Sequence, residues 1–292
     1  MTALIAIDWG TTSFRAWRMG AAGEVLESVI DGPGILAAAA LPGGFRQALG
    51  DSIGTWLEAA PVIASGMITS RNGWVETPYL PLPLDAAALA RSLTLHDGIH
   101  FVTGAVSDPD GPAPDVMRGE ETELIGHLAG GGGDGLFVLP GTHSKWAWAR
   151  EGRLTAFRTV MTGEVFAALR DHTILGRLIQ AGAGSADSFR QGVEAGRNDG
   201  PLLGRIFRAR TLALMDRLAP DRIADYLSGL LIGDEIAHNA RDPKGPVTII
   251  GRGDLAARYQ KAFEVLGIEA VIAPPGMARR GLWEIARMGG LT

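Results

Sequence analysis

Two short stretches of this 292-residue chain combine residue types that hold phosphate. The first is Asp8-Trp9-Gly10-Thr11-Thr12-Ser13, and the second is Leu139-Pro140-Gly141-Thr142-His143-Ser144-Lys145. Gly10–Met19 aligns without gaps on Gly141–Arg150, 131 residues later, with Gly, Thr, Ser, Ala and Trp identical at five of ten positions. A glycine lets backbone approach a ligand closely, and successive N–H groups in such a tip make a concavity for phosphate oxygens. Two such tips could hold two ends of a polyphosphate. They differ where chemistry would want a difference. Asp8 precedes the first tip, which is where Mg²⁺ would sit beside bound phosphates, mostly through retained waters. Lys145 follows the second and offers a cation to phosphate charge. A turn-forming Asp at a strand end is the plain alternative for Asp8, and the repeat outweighs it.

These residues need strands and helices to aim them. Residues 3–9, 13–19 and 25–30 read as a three-strand meander, and 43–59 as an amphipathic helix on the spacing of Phe45, Leu49, Ile53, Trp56 and Leu57. Residues 61–67 and 99–106 are β-rich and flank a Pro-rich loop (77–84) and a short Ala-rich helix (85–93). Residues 107–117 carry three prolines and no period, the best candidate for a domain junction. A helix at 119–129 leads to a second meander at 136–140, 145–150 and 153–160. The remainder reads as mainly helical, near 185–197, 201–218, 221–240, 254–266 and 277–288, with strands at 247–251 and 269–273. Each tip thus lies between the first two strands of a meander, so the expected organisation is two lobes of related fold, 1–115 and 116–292.

Composition narrows the class. Apolar residues make up 46% and charged residues 20%, which excludes a disordered chain or a coiled coil. The formal charge of −5 is a poor start for gripping nucleic acid or anionic lipid. Cys is absent, so disulfides, thiolate nucleophiles and Cys-ligated metals are excluded. No apolar run reaches the length of a membrane span. Met1–Ile5 shows no basic export signal, so the expected compartment is the cytoplasm. Gly130–Gly133 lacks the Gly-Lys-Ser/Thr ending of a phosphate loop and precedes a strand, so it reads as a slack turn. Gly10-Thr11-Thr12 is not the Gly-x-Gly-x-x-Gly of a dinucleotide dehydrogenase. His96 and His100 are separated by Gly98 and give little support to a metal site. Trp146 and Trp148 read as core or cleft-wall residues, and Asp234 and Glu235 as solvated or dipole-related acids.

Ile7–Thr12 resembles the first phosphate motif of the acetate-and-sugar-kinase/actin superfamily, and Leu139–Trp146 its second. Val247–Gly251 with Gly253 is similar to its adenosine motif, with Gly-Arg-Gly in place of adjacent glycines. Val116–Glu123, Phe157–Glu164, Leu227–Gly233, Ala257–Gln260 and the Pro78–Pro83 loop together resemble the 2-dehydro-3-deoxygalactonokinase family, essentially end to end. The resemblance implies an α/β fold of two ribonuclease-H-like lobes, mixed sheets flanked by helices, with the active site in the interlobe cleft. It implies an ATP- and Mg²⁺-dependent kinase acting on the primary 6-hydroxyl of 2-dehydro-3-deoxy-D-galactonate, in galactose or galactonate breakdown. Partners are then ATP and a small sugar acid, with no nucleic acid or membrane, and a homodimer left open.

On that resemblance Asp8 organises Mg²⁺, and Gly10, Thr11, Thr12, Gly141, Thr142 and Lys145 contact phosphate. Gly251 and Gly253 adjoin adenosine. Related sugar kinases place their catalytic acid at the start of the helix before the second tip, usually as Asp. Here that place holds Glu120 and Glu121, which point about 100° apart and cannot both face one hydroxyl. Glu120 is the expected base, and Glu121 the second choice; helix-dipole stabilisation accounts for the other. A bidentate Arg would meet the sugar-acid carboxylate, Arg118 first and Arg15 second, with Arg71 a loop candidate and Asn72 and Trp74 able to reach its hydroxyls. A sibling sugar kinase and a non-catalytic actin-like ATP-binding regulator are the alternatives; the acidic pair argues against the latter.

Overall fold

The computed structural model describes residues 1–198 and 200–292. The chain runs through β1 (Thr2–Trp9), β2 (Ser13–Gly20), β3 (Val25–Pro33), α1 (Ile35–Ala39), α2 (Gly44–Ile53), β4 (Val62–Ser65) and β5 (Tyr79–Pro81). It continues through α3 (Ala86–Arg91), β6 (Thr94–His96), β7 (Ile99–Phe101), β8 (Gly104–Ser107), β9 (Asp115–Met117), α4 (Glu120–Ala129) and β10 (Gly135–Leu139). Then come β11 (Ser144–Arg150), β12 (Arg153–Val160), α5 (Thr162–His172), α6 (Ala186–Gly196), α7 (Leu202–Leu214) and α8 (Ile223–Asn239). The last elements are β13 (Val247–Ile249), α9 (Gly253–Leu266), β14 (Ala270–Ile272) and α10 (Met277–Met288).

The chain forms two compact units. The first comprises Met1–Asp134, Trp148–Phe157 and Gly276–Thr292, the second Gly135–Ala147 and Arg158–Pro275. The division expected at 115/116 runs through β9, inside the first unit. Two contacts keep the following segment there: β9 pairs antiparallel with β8, and Gly126 of α4 lies so close to α10 that a Cβ would stand 2.0 Å from Met277 O.

The first unit holds a sheet of order β3-β2-β1-β4-β7-β6. β1 is antiparallel to β2 and parallel to β4, and Leu4, Ile5, Ala6 and Ile7 are all buried, the continuous apolar run of a strand covered on both faces. Its core gathers Trp9, Phe14, Ile35, Leu49, Trp56 and Phe101. The β-rich run 99–106 forms two strands: β7 stays in this sheet, and β8 joins a smaller sheet of order β5-β8-β9. The helix expected over 43–59 ends at Ile53 and tightens to a 3₁₀ turn through Trp56.

The second sheet has the order β12-β11-β10-β13-β14, with β10 parallel to β13 and β13 to β14. Counted within each repeat, the first four strands take the same order in both sheets: third, second, first, fourth. The parallel strand beyond them is the fifth in the second sheet, whereas in the first sheet it is the sixth, with the fifth paired antiparallel outside it. The repeat read from ten residues therefore extends over the first four strands of each sheet. In the second unit α8 is apolar almost all round, with Ile223, Leu227, Leu230 and Ile236 buried. α6 crosses it where Gly192 and Gly229 leave no room for side chains, a Cβ on either falling 2.1 Å from the other helix's backbone oxygen.

Candidate active site

Asp8 stands at the end of β1, opposite Arg15 on β2 and beside Ser65 on β4. The Arg15 guanidinium donates to Asp8 Oδ2 and lies 3.8 Å from Glu123 Oε1. The tip that follows is fixed from below: Gly10 N–H donates to Ser13 O at 2.8 Å, and Ile35 N–H to Gly10 O at 3.0 Å. Thr11 and Thr12 remain exposed.

Two glycines bring the first turn of α4 to this place. Gly66 (φ +98°) follows β4, and Gly119 (φ +109°) precedes α4. A Cβ on Gly119 would stand 3.2 Å from Gly66 Cα, and one on Gly66 would stand 2.8 Å from Trp9 O and 3.3 Å from Asp8 Oδ1. Both the positive φ and the close approach demand glycine. Three backbones thus converge, and Glu120, Glu121 and Glu123 enter the neighbourhood of Asp8.

The three acids are not equivalent. Glu121 is buried and turned back on its own helix start: its carboxylate accepts the Gly119 N–H at 2.7 and 3.0 Å and the Thr122 hydroxyl at 3.0 Å. Burial, then the charge of Glu120, pushes its pKa up to about 7. Glu120 is half-buried and accepts the Arg118 N–H at 3.0 Å. Glu123, with 22% of its side chain accessible, is pushed up to about 8 by burial and then by Asp8, against the pull of Arg15. Glu123 carries no role in the sequence reading. Its three-residue spacing from Glu120, which puts both on one helix face, is the signal that could have found it.

Arg118, the first choice for the sugar-acid carboxylate, is buried and committed. Nη1 donates to Thr69 Oγ1 at 2.8 Å and Thr77 Oγ1 at 2.6 Å, Nη2 to Thr77 O at 3.0 Å, and the guanidinium lies 4.2 Å from the Tyr79 ring centroid. Asn72 and Arg71 are exposed, Arg71 lying 3.4 Å from Glu76. Trp74 packs into the core, stacked on Phe45 and edge-on to Trp9 and Phe101.

In the second unit Gly141, Thr142 and His143 form the other tip, with Thr142 and His143 exposed. α5 starts against it: a Cβ on Gly163 would fall 2.4 Å from Gly141 O, and Glu164 N–H donates to Thr142 O at 2.9 Å. His143 Nε2 and Glu164 Oε2 are 2.5 Å apart. Lys145 is buried, and its Nζ donates to Thr159 Oγ1 at 2.6 Å. Beside the tip lies a cavity of about 300 Å³ lined by Gly141, Gly163, Phe166, Asp225, Leu231, Arg258 and further α8 and α9 residues. Its apolar walls carry a polar edge, where Arg258 bonds Ser228 at 2.9 Å and Asp225 at 2.8 Å. Gly251 and Gly253 are exposed and are not among its lining; they lead into α9, whose Leu255, Arg258 and Tyr259 are. The blocks 157–164, 227–233 and 257–260 already contained most of these residues, but without partners in view they carried no roles.

Glu235 corrects the sequence reading. Expected as a solvated or dipole-related acid, it is 2% exposed and accepts the Trp146 indole N–H at 2.8 Å and the Tyr259 hydroxyl at 2.7 Å. Its neighbour Asp234 pairs with buried Arg205. Trp146 is a core residue, as expected.

Two sheets with the same order in their first four strands, each ending its first strand in a Gly-Thr tip, define the actin-like ATPase and sugar-kinase class of fold. The family model for 2-keto-3-deoxy-galactonokinase matches residues 8–285, and the chain belongs to that family. It is 38% identical over 272 residues to the 2-dehydro-3-deoxygalactonokinase of Escherichia coli K12, covering 91% of this chain and 90% of the relative. A crystal structure of a candidate 2-dehydro-3-deoxygalactonokinase from Sinorhizobium meliloti superposes with TM-score 0.87 at 36% identity, covering 97% of this chain and 98% of that one. Component A of the Acidaminococcus fermentans (R)-2-hydroxyglutaryl-CoA dehydratase shares the fold alone, with TM-score 0.53 at 12% identity over 98% of each chain. The chain is therefore an ATP-using kinase of carbohydrate metabolism, a phosphotransferase with an alcohol acceptor. Among the described residues no helix is long and apolar enough to cross a membrane.

Proposed function

We propose that this kinase transfers the γ-phosphoryl group of ATP to the primary 6-hydroxyl of 2-dehydro-3-deoxy-D-galactonate. The product is 2-dehydro-3-deoxy-6-phospho-D-galactonate, formed in galactose or galactonate breakdown. The observation that carries the reading is the convergence at Gly66 and Gly119 of Asp8 with the first turn of α4. Phosphoryl transfer requires in-line positioning, charge neutralisation and a carboxylate to receive the hydroxyl proton. Glu120 takes the last role, because Glu121 spends both oxygens on Gly119 and Thr122. Asp8 is a single hard oxygen donor beside exposed Thr11 and Thr12, a donor set that fits Mg²⁺ bound mainly through water and phosphate. Mg²⁺ bound there would neutralise phosphate charge. Gly10, Thr11, Thr12, Gly141 and Thr142 offer backbone N–H groups and hydroxyls to phosphate, while Lys145, bonded to Thr159, adds positive charge beneath the second tip.

The adenine ring fits the apolar cavity beside that tip, whose volume of about 300 Å³ is at the lower end for small-molecule sites. Arg118 acts as a positioning residue that ties the Thr69–Thr77 loop to the start of α4. Between Arg118 and Arg15 as partners for the sugar-acid carboxylate, Arg15 is the better placed, since 41% of its side chain is accessible while Arg118 is buried. Cytoplasmic residence and the absence of a nucleic-acid partner belong to the same reading, with the formal charge of −5 in its support.

The test is coupled ADP release with Mg-ATP, comparing 2-dehydro-3-deoxy-galactonate with its gluconate epimer and several hexoses. Turnover confined to the galacto compound is expected. Absence of turnover with every sugar acid, alongside clear ATP binding, would overturn the substrate assignment.

A further inference from the structure

A carboxylate on an otherwise apolar helix is expensive to bury, and it persists only where donors surround it. Glu235 on α8 is such a group. Besides Trp146 and Tyr259, which donate to it, the Thr162 and Ser144 hydroxyls stand close enough to favour its charge. The Ser144 hydroxyl is also 2.9 Å from the Tyr259 oxygen. Burial raises the Glu235 carboxyl, and all four partners pull it back down.

The four polar groups come from three elements around the second tip. Ser144 and Trp146 stand on β11, directly after Gly141–His143. Thr162 opens α5 and adjoins Gly163, whose backbone rests on Gly141 O. Tyr259 on α9 lines the cavity, as does Thr162. An apolar side chain of the same volume would fill the space and leave these donors unpaired, so packing alone does not account for an acid here.

We propose that Glu235 is a positioning residue for nucleotide binding: from beneath the site it locks the root of the second phosphate tip, the start of α5 and the α9 wall into one geometry. The inference rests on the reading of this unit as the nucleotide-binding one. Glu235 touches neither phosphate nor sugar in this role. Its loss is felt through the tip.

Glu235→Gln keeps the shape and one acceptor but turns an amide donor toward Tyr259 or Trp146. Calorimetric titration of the intact protein with a non-hydrolysable ATP analogue, and steady-state kinetics, read the effect. The expected result is Kd and KM for nucleotide raised roughly tenfold to a hundredfold, with KM for the sugar acid unchanged. Leu230→Ala on the same helix, a fully buried position outside the network, serves as the control for destabilisation. It should lower Tm at least as much and leave nucleotide Kd alone. Where Glu235→Gln does not fold, Trp146→Phe, which removes one donor and keeps a ring, carries the test. Wild-type Kd in the Glu235→Gln protein, or an equal rise in Leu230→Ala, would overturn the proposal. A wild-type protein that binds no nucleotide would instead overturn the reading on which it rests.

Discussion

The two phosphate tips share a frame and differ in what stands behind it. In each, a hairpin between the first two strands presents Gly-Thr, and the helix after the third strand abuts the tip through a glycine. Gly34 lies so close that a Cβ would stand 2.4 Å from Thr12 C, and Gly163 so close that one would stand 2.4 Å from Gly141 O. Ile35 N–H bonds Gly10 O at 3.0 Å, and Glu164 N–H bonds Thr142 O at 2.9 Å. Behind the first tip lie Asp8, Arg15 and the glutamates of α4, a charged and partly accessible cluster. Behind the second lies one buried carboxylate saturated by neutral donors. The difference teaches that the repeat supplies the cradle and its neighbours supply the chemistry. The first copy is equipped for a cation and a proton, the second for holding phosphate still.

The largest effect should follow from breaking the first copy. Glu120→Gln is expected to lower kcat roughly 10²–10⁴-fold, with nucleotide Kd and Tm close to wild type. Glu121→Gln should leave most of kcat and lower Tm, because it disturbs a capping contact. The reverse ranking would move the base to Glu121. Asp8→Asn is expected to lower kcat by roughly 10²–10³-fold, the scale for losing one electrostatic contact in a reaction site. It should also raise the Mg²⁺ concentration needed for half-maximal rate.

Next come the paired glycines, which test the comparison directly. Gly34→Ala and Gly163→Ala each force a Cβ onto backbone, at a cost of about 1–3 kcal/mol, so both should lower Tm by similar amounts. Their kinetics should part. Gly163→Ala is expected to raise KM for ATP chiefly, and Gly34→Ala to lower kcat with a greater demand for Mg²⁺. Identical kinetic defects would mean that the copies are not specialised as described.

Much of this frame was legible in ten aligned residues, since a Gly-Thr tip between strands is a local feature. The sites behind the tips were less so. Asp234-Glu235 within a helix reads as a charged pair, and only contact with Trp146, 89 residues away, and Tyr259, 24 residues away, shows the second acid to be interior. Helix geometry separates Glu120 from Glu121 by 100°, yet which one looks outward depends on Gly119, whose N–H claims Glu121. Arg118 likewise looked available because its partners, Thr69 and Thr77, lie 49 and 41 residues earlier. The start of α5 at Gly163 was passed over because its meaning is a contact with Gly141 O.

The smallest expected effect concerns stability and pH, and it sharpens the contrast between charged and saturated surroundings. Glu121 and Glu123 are raised from the ordinary 4.5 to about 7 and about 8 in the folded chain. The fold therefore binds more protons than the unfolded chain across this interval, and its stability falls as pH rises. The contribution is whole below about pH 4.5, declines through the folded values, and is spent above about pH 8. A single fully buried group titrating alone gives up to ~1.4 kcal/mol per pH unit; Glu123, partly accessible to solvent, gives less. Asp134, Asp171 and Asp254 are lowered by their partners, but their losses come in acid, outside the window. Denaturant midpoints measured from pH 5 to 8 should accordingly fall toward pH 8. Glu121→Gln combined with Glu123→Gln should reduce that slope, leaving what Glu235 adds in the same direction and the opposite contribution of His100 and His127, whose imidazoles burial holds below their ordinary value. A slope unchanged in the double variant would mean that both acids are ionised in the folded chain at neutral pH, with Arg15 outweighing burial.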